Sequence, residues 1–415
     1  MKKRIFLSEP ALVCCAGRNR FELYESCLSG FQGGFVMREF NNAEFPVGTI
    51  PGELPEPAAG AMRNGSPAGF PPGKYGGNTR IMRVIDCALE QLRPVVQKAV
   101  SMYGPKRVGV CFGSCDNGSE ASYIAHNAFF KNCAASGGCG APAGCAFPDD
   151  YSLRYQSASF AMMFITEKFG IKGPAFTIAT ACASGASAIM RGAELIKSGY
   201  CDAVIAGGAD IVSQTVFTGF HALEAVSNSL TNPFSKNRKG INLGEGAAFF
   251  LLSSEKISDV ELLGAGESCD AYHMTAPGID GQGPANAMKA ALLDAALDSE
   301  KIEYINLHGT GTDLNDKAES LAMKSVFKTD APSSSTKPIT GHTLGAAGAL
   351  EAAICWMTLT EKKGLPAHCW DGVKDEQAPF LPAVKGNANK PSVCMSNSFA
   401  FGGCNVSLIL GNNND

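Results

Sequence analysis

The sequence lacks any stretch that approaches the roughly 20 consecutive apolar residues of a membrane-spanning helix. It also lacks a surplus of positive charge. With a net charge of −4 and 18% charged residues, it offers no global field to draw nucleic acid or an anionic membrane surface. An uninterrupted secretory core is missing as well: after Met1-Lys2-Lys3-Arg4, the apolar Ile5-Phe6-Leu7 is broken by Ser8, Glu9 and Pro10, where a signal peptide needs roughly 7–15 apolar residues. These absences predict a cytoplasmic protein whose first apolar residues form a β-strand.

Cysteine is plentiful by contrast. The sixteen cysteines of this 415-residue chain are scattered through hydrophobic runs, at Cys87, Cys201, Cys355 and Cys394 for instance. That pattern suits small buried thiols in a reducing compartment better than the disulfide framework of a short secreted chain. Cys133, Cys139 and Cys145 recur every six residues near His126, but structural zinc ligands usually pair about two to four residues apart, so no metal site is expected. One cysteine differs from the rest. Cys182, in Thr180-Ala181-Cys182-Ala183-Ser184-Gly185, stands where a β-branched run (Phe176-Thr177-Ile178) stops and a helical pattern begins. Unpaired N–H groups and the positive end of a helix macrodipole favour a thiolate there.

Short β-branched runs alternate with helical patterns throughout, which predicts an α/β fold with a mainly parallel sheet. A helix is expected over about 79–100, strands at 107–110, 202–206 and 260–266, a helix over 284–297, a strand at 304–307 and a helix near 317–326. The second half echoes the first. Residues 107–114 match 304–312 in order, and 176–182 match 393–401, which predicts an N-terminal half over 1–254 with the nucleophile and a C-terminal half over 255–415 with both histidines. Residues 52–77 and 131–150 read as long loops.

Two histidines occupy glycine turns of the second half. His308 ends the strand Tyr304-Ile305-Asn306-Leu307 and opens His308-Gly309-Thr310-Gly311-Thr312, and His342 lies in Thr340-Gly341-His342-Thr343 before a small-residue helix. With a helix-start cysteine, they point to a nucleophile with acid/base or hydrogen-bonding partners. Lys337 stands in an apolar neighbourhood and needs a partner; Glu319, on the helix after His308, is the expected one, and the pair would hold the histidine loops. Near the C-terminus, the turn Phe399-Ala400-Phe401-Gly402-Gly403 can aim a backbone N–H at a reacting oxygen, making an oxyanion hole with the N–H of Cys182.

Taken with Gly207-Gly208-Ala209-Asp210, Pro233-Phe234, Gly244-Glu245-Gly246-Ala247 and Asp270-Ala271-Tyr272-His273-Met274-Thr275, these segments resemble the elongating β-ketoacyl-acyl-carrier-protein synthases. The resemblance covers nearly the whole chain. It implies a thiolase-like fold, two similar βαβαβαββ halves packed as a five-layer α-β-α-β-α sandwich. It further implies a Cys-His-His triad of Cys182, His308 and His342, with Lys337 and Glu319 in support. Thr310 and Thr312 would hold a pantetheine arm, and Phe401 would serve as oxyanion-hole donor and gate. No metal or redox cofactor is implied, since phosphopantetheine arrives on the carrier protein.

The implied partners are an acyl carrier protein and either a second copy of the chain or a chain-length-factor-like paralogue. Arg80 and Arg83 with Lys74, or Lys236, Arg238 and Lys239, are the expected carrier-docking patches. Gly52-Glu53-Leu54-Pro55 and Ser398-Phe399-Ala400-Phe401 look most like ketosynthases of aryl polyene pigment pathways, with fatty-acid elongation the competing role. The sequence departs from the family at Ser235, Ala400 and Cys404, and Glu224 stands near where some relatives place a docking arginine. A non-catalytic partner subunit is disfavoured by the intact triad. A degradative thiolase is disfavoured because Gly402-Gly403-Cys404-Asn405 is not its closing motif.

Overall fold

The computed structural model describes residues 3–57, 78–116, 119–135, 146–149, 151–328, 331–380, 382 and 391–412. Much of both long loops, with Lys74, Cys139 and Cys145, lies outside them. In chain order the first strands and helices are β1 (Phe6–Leu7), β2 (Ala11–Cys14), α1 (Arg20–Ser29), the hairpin β3 (Phe35–Phe40) and β4 (Ala43–Gly48), α2 (Arg80–Tyr103) and β5 (Val108–Gly113). There follow α3 (Ser119–Ala135), α4 (Phe160–Phe169), β6 (Ala175–Ile178), α5 (Ser184–Lys197), β7 (Ala203–Asp210), α6 (Gln214–Ala222) and β8 (Gly246–Ser253). The remainder comprises β9 (Val260–Cys269), α7 (Gln282–Ala295), β10 (Tyr304–Asn306), α8 (Asp313–Val326), β11 (Ser333–Ser334), α9 (Lys337–Thr340), α10 (Ala347–Glu361), β12 (Val393–Phe399) and β13 (Cys404–Asn412).

Among the described residues, eleven strands form one sheet in the order β11-β10-β12-β13-β9-β1-β8-β7-β5-β6, with β2 also on β8. The order is the same read inward from either end. β6, β5, β7, β8 and β1 repeat the arrangement of β11, β10, β12, β13 and β9: two parallel pairings, then antiparallel ones. The echo of 107–114 in 304–312 is therefore that of β5 in β10. The expected match of 176–182 to 393–401 is corrected, because β6 corresponds to the edge strand β11, and β12 corresponds to β7.

The sheet is also mixed rather than mainly parallel. Only the short turn Phe401–Gly403 joins β12 to β13, and a parallel pair needs a crossover of a dozen residues or more. The predicted loop from 131 begins later than expected, since α3 continues helical to Ala135.

Helices α5 and α10 pack on one another at the centre, with strands of both ends of the sheet around them. Outside lie α2 and α4 on one flank and α7 and α8 on the other, which completes the five layers of a thiolase-like fold. The central contact depends on missing side chains. A Cβ on Gly185 would stand 2.7 Å from the Gly345 carbonyl oxygen, and one on Gly348 would stand 2.7 Å from Ala186 Cβ. The starts of α5 and α10 are thereby brought face to face, and the functional residues sit at that junction.

Candidate active site

Each helix of the central pair starts with a kink. Ala181 (φ 47°) and Leu344 (φ 54°) take left-handed backbone conformations unusual for residues with a side chain, each as the first residue of a short 3₁₀ turn. Ser184 pins the first kink: its hydroxyl accepts from Thr180 N at 3.0 Å and donates to Ala181 O at 2.6 Å. The chain therefore reverses abruptly after β6 and sets Cys182 at the head of α5.

His308 follows β10 in a turn that Gly309 (φ 34°) makes possible, since a Cβ there would stand 2.6 Å from Ser335 Cβ. Glu319, reaching back from α8, accepts from His308 N at 2.8 Å and Gly309 N at 2.7 Å. Asp316, one turn earlier, accepts from Gly311 N and Phe234 N. His342 is fixed differently: its backbone N donates to Asn242 O at 2.7 Å, and its carbonyl accepts from Gly244 N at 3.0 Å. Three separate parts of the chain thus deliver Cys182, His308 and His342 to one place.

His342 Nε2 lies 3.0 Å from Cys182 Sγ, and the two imidazole rings stand 5.4 Å apart, nearly perpendicular. All three residues line one cavity of about 440 Å³, together with Thr310, Thr312 and Phe401. The two threonine hydroxyls are 2.9 Å apart. Phe401 lies in the turn between β12 and β13, its ring stacked on that of Phe220 at 5.6 Å.

Lys337 does not pair with Glu319 as expected. Its ammonium donates to Glu351 Oε1 at 2.5 Å and to the His308 carbonyl, and stands 3.3 Å from His308 Nδ1. Glu319 is instead occupied by the two backbone N–H groups, so it supports the His308 loop without the lysine. Glu351, on α10, was missed in the sequence. Its signal was there: a lone carboxylate within Ala349-Leu350-Glu351-Ala352-Ala353 needs a buried cation. Both partners are almost wholly inaccessible, at 1% and 3% exposure.

An ammonium can only donate. Facing Lys337, His308 Nδ1 is therefore the bare nitrogen, and the proton of the neutral ring resides on Nε2. Burial, and then the Lys337 charge, hold both histidines well below 6.5, so they are neutral around pH 7. Burial raises Cys182 to about 12 against the pull of Lys337. The resting nucleophile is thus a thiol next to an imidazole, not the thiolate that a helix start alone predicts, because loss of hydration outweighs the helix dipole.

The predicted docking patches separate in the same way. Arg80 is tied to Glu245, and Arg238, its side chain 2% exposed, is held by Asp313 and Asp375. Arg83 bonds Asn78, Glu56 and a backbone carbonyl. Lys236 and Lys239 remain exposed, and Lys239 lines the cavity, as does Glu224. Ser235 hydrogen-bonds Asp371 at 2.8 Å. Cys133 is disulfide-bonded, an exception to the expected reduced thiols. Among the described residues, no cluster of metal-ligating side chains and no helix long and apolar enough to cross a membrane is found.

Glu319→Gln tests the support of the His308 loop. The amide has one acceptor oxygen for two N–H donors and turns its own donor toward the other, leaving a buried group unpaired. Stability is expected to fall by about 1–3 kcal/mol, read as a lower urea midpoint at unchanged slope.

Residues 52–257 match the beta-ketoacyl synthase N-terminal domain, and residues 260–369 its C-terminal domain. The chain is 38% identical over 262 residues to nodulation protein E of Rhizobium meliloti, covering 60% of this chain and 65% of that protein. It is 32% identical over 330 residues to 3-oxoacyl-[acyl-carrier-protein] synthase 2 of Staphylococcus aureus (strain COL), covering 73% and 75%. The chain spans just under two thirds of the length of the first of these relatives. Among solved structures, a ketosynthase in complex with its chain length factor from Xenorhabdus doucetiae superposes with a TM-score of 0.86 at 35% identity, covering 99% of this chain and 98% of that one.

Proposed function

Because the chain belongs to the β-ketoacyl synthase family, we propose that it moves an acyl group from a carrier protein to Cys182 and condenses it with a malonyl thioester by decarboxylative Claisen chemistry. The observation that carries this reading is the approach of His342 Nε2 to Cys182 Sγ at 3.0 Å in a cavity that His308 also lines.

In the first half-reaction the Cys182 sulfur attacks the incoming thioester carbonyl while His342 Nε2 takes the thiol proton and returns it to the leaving pantetheine thiol. A thiol raised to about 12 needs that partner, since little thiolate exists beforehand. Backbone N–H groups of Cys182 and Phe401 would hold the tetrahedral oxyanion. In the second, the malonyl group loses carbon dioxide, and the enolate carbon attacks the acyl-Cys182 carbonyl. The His308 Nε2–H hydrogen-bonds the thioester oxygen of that enolate, with His342 lining the same cavity; a neutral donor stabilises the developing charge without burying a permanent cation. The Cys182 thiolate leaves and takes up a proton from solvent by way of His342 Nε2, restoring the resting thiol, and the β-ketoacyl product remains on the carrier. Every atom is accounted for without a resident cofactor, the phosphopantetheine arriving with its carrier.

Thr310 and Thr312 would hold the pantetheine arm, and the exposed Lys236 and Lys239 would meet an acidic carrier. A chain-length-factor-like second subunit is the proposed partner in preference to a second copy, supported by the likeness to a ketosynthase solved with such a factor. The finer sequence resemblance, to aryl polyene pathway ketosynthases, makes a polyunsaturated aryl acyl group the proposed cargo.

The experiment is release of labelled carbon dioxide from a carboxyl-labelled malonyl carrier. It is expected to depend on prior acylation of Cys182, and condensation without decarboxylation overturns the reading.

A further inference from the structure

Two cysteines outside the proposed triad face each other across the sheet at the rim of the cavity. Cys269 is the last residue of β9, and Cys404, one of the departures from the family pattern, is the first residue of β13; the two are direct partners in the antiparallel register. Both are free thiols, Cys269 exposed and Cys404 half-buried.

Their position in the ladder decides what they can do. Asp270 N donates to Gly403 O at 2.9 Å, so the hydrogen-bonded positions flank the cysteines and 269/404 is a non-hydrogen-bonded pair. At such pairs the Cα atoms stand about 4.5 Å apart with both side chains on one face. That falls within the roughly 4.4–6.8 Å that a disulfide spans.

Each cysteine also adjoins a segment that borders the cavity. Cys404 directly follows the Phe401–Gly403 turn, and Cys269 opens into the loop that carries Thr275, Ala276 and Pro277 to the cavity wall. The two segments are already tied together. Gly402 N donates to Met274 O at 2.8 Å, and Asn405 Nδ2 to Asp270 Oδ1 at 2.7 Å. The Cys404 thiol, moreover, lies against the Thr180 hydroxyl, two residues before the nucleophile.

We propose that Cys269 and Cys404 form a redox modification site, which a small-molecule disulfide oxidises to a cross-strand disulfide that fixes the Phe401 turn to the 270–277 loop. The Cys269 thiolate attacks one sulfur of the external disulfide, breaking its S–S bond and releasing one thiolate, which takes up a proton equivalent to the one Cys269 lost. Cys404, giving its proton to solvent, then displaces the second thiolate from the mixed disulfide on Cys269. Two protein thiols are oxidised, and one external disulfide is reduced to two thiols. Exposed Cys269 is the point of attack and half-buried Cys404 the resolving thiol. A fixed rim would restrict movement of the Phe401 turn; this consequence rests on the proposed acyl transfer, whereas the bridge itself does not.

The test is titration of the folded chain with oxidised glutathione, followed by alkylation and peptide mapping by mass spectrometry without reduction. A linked peptide containing Cys269 and Cys404 is expected, disappearing on reduction and absent in Cys269→Ser. Glutathione retained on Cys269 with no linked peptide, or linkage only under denaturing conditions, overturns the site. Separately, oxidised wild type is expected to lose Cys182 acylation rate that Cys269→Ser, treated identically, keeps. A linked peptide with an unchanged rate overturns the rim lock while leaving the site in place, and failure of all acylation in the reduced protein counts against the proposed activity instead.

Discussion

Cys182→Ala is expected to leave no acyl-enzyme detectable by mass spectrometry and to lower condensation by at least about 10⁴-fold. The substitution removes the sulfur alone. Alanine needs no more room than cysteine, and the hydrogen bonds that set the turn belong to Ser184 and Thr180. Among the described residues, no other thiol lines the cavity. Cys115 lies close enough to feel the Cys182 charge, but burial raises it well above its ordinary value, and it is absent from the cavity lining. An acylated Cys182→Ala protein would show that the nucleophile lies elsewhere. Unchanged folding, read by thermal unfolding, separates lost chemistry from lost structure.

The second large effect divides the two half-reactions. His308→Ala and His342→Ala are each expected to lower malonyl-dependent condensation by about 10²–10³-fold, the scale of a lost oxyanion donor or acid/base group. Self-acylation of Cys182 should persist in His308→Ala and fall in His342→Ala, because His342 and not His308 stands at hydrogen-bonding distance from the sulfur. Rapid-quench acylation measured beside steady-state condensation separates the two. Equal losses of both activities in both variants would contradict the assignment.

A pH dependence follows from the same environment. Both imidazoles are held well below 6.5, so as pH falls through that value the unfolded chain takes up protons that the folded chain refuses. Their contribution to stability is therefore lost on acidification, while both stay neutral around pH 7. Urea midpoints of wild type and His308→Phe between about pH 7.5 and pH 5.5 should differ in slope, the wild type losing more.

The sequence made the chemistry-bearing residues legible because each sits at a break in a repeating pattern: Cys182 where a strand gives way to a helix, His308 and His342 in glycine turns. The α/β alternation was legible for the same reason. Strand direction was not, since hydrophobic runs of parallel and antiparallel strands look alike, and only the three-residue turn before Cys404 forces β13 to run back along β12. Sheet order was hidden too: β11 is two residues long, too short to register as a strand, so β12 was taken for the partner of β6. The Lys337 partner was misread because charge complementarity names candidates without distances. Glu319 lies closer in sequence to the histidine it supports, but α10 packs Glu351 against the lysine, and Glu319 is consumed by two backbone donors. The thiol state of Cys182 was misjudged because helix position is visible in sequence and burial is not.

The most direct test is the mass carried by the Cys182 peptide when the wild-type chain is given an acyl carrier protein, then a malonyl carrier protein. The acyl mass is predicted on Cys182 after the first addition. It should disappear after the second, as carbon dioxide and a β-ketoacyl product two carbons longer are released. An acyl group found on a different residue, or an acyl-Cys182 that persists unchanged through malonyl addition, would contradict the account.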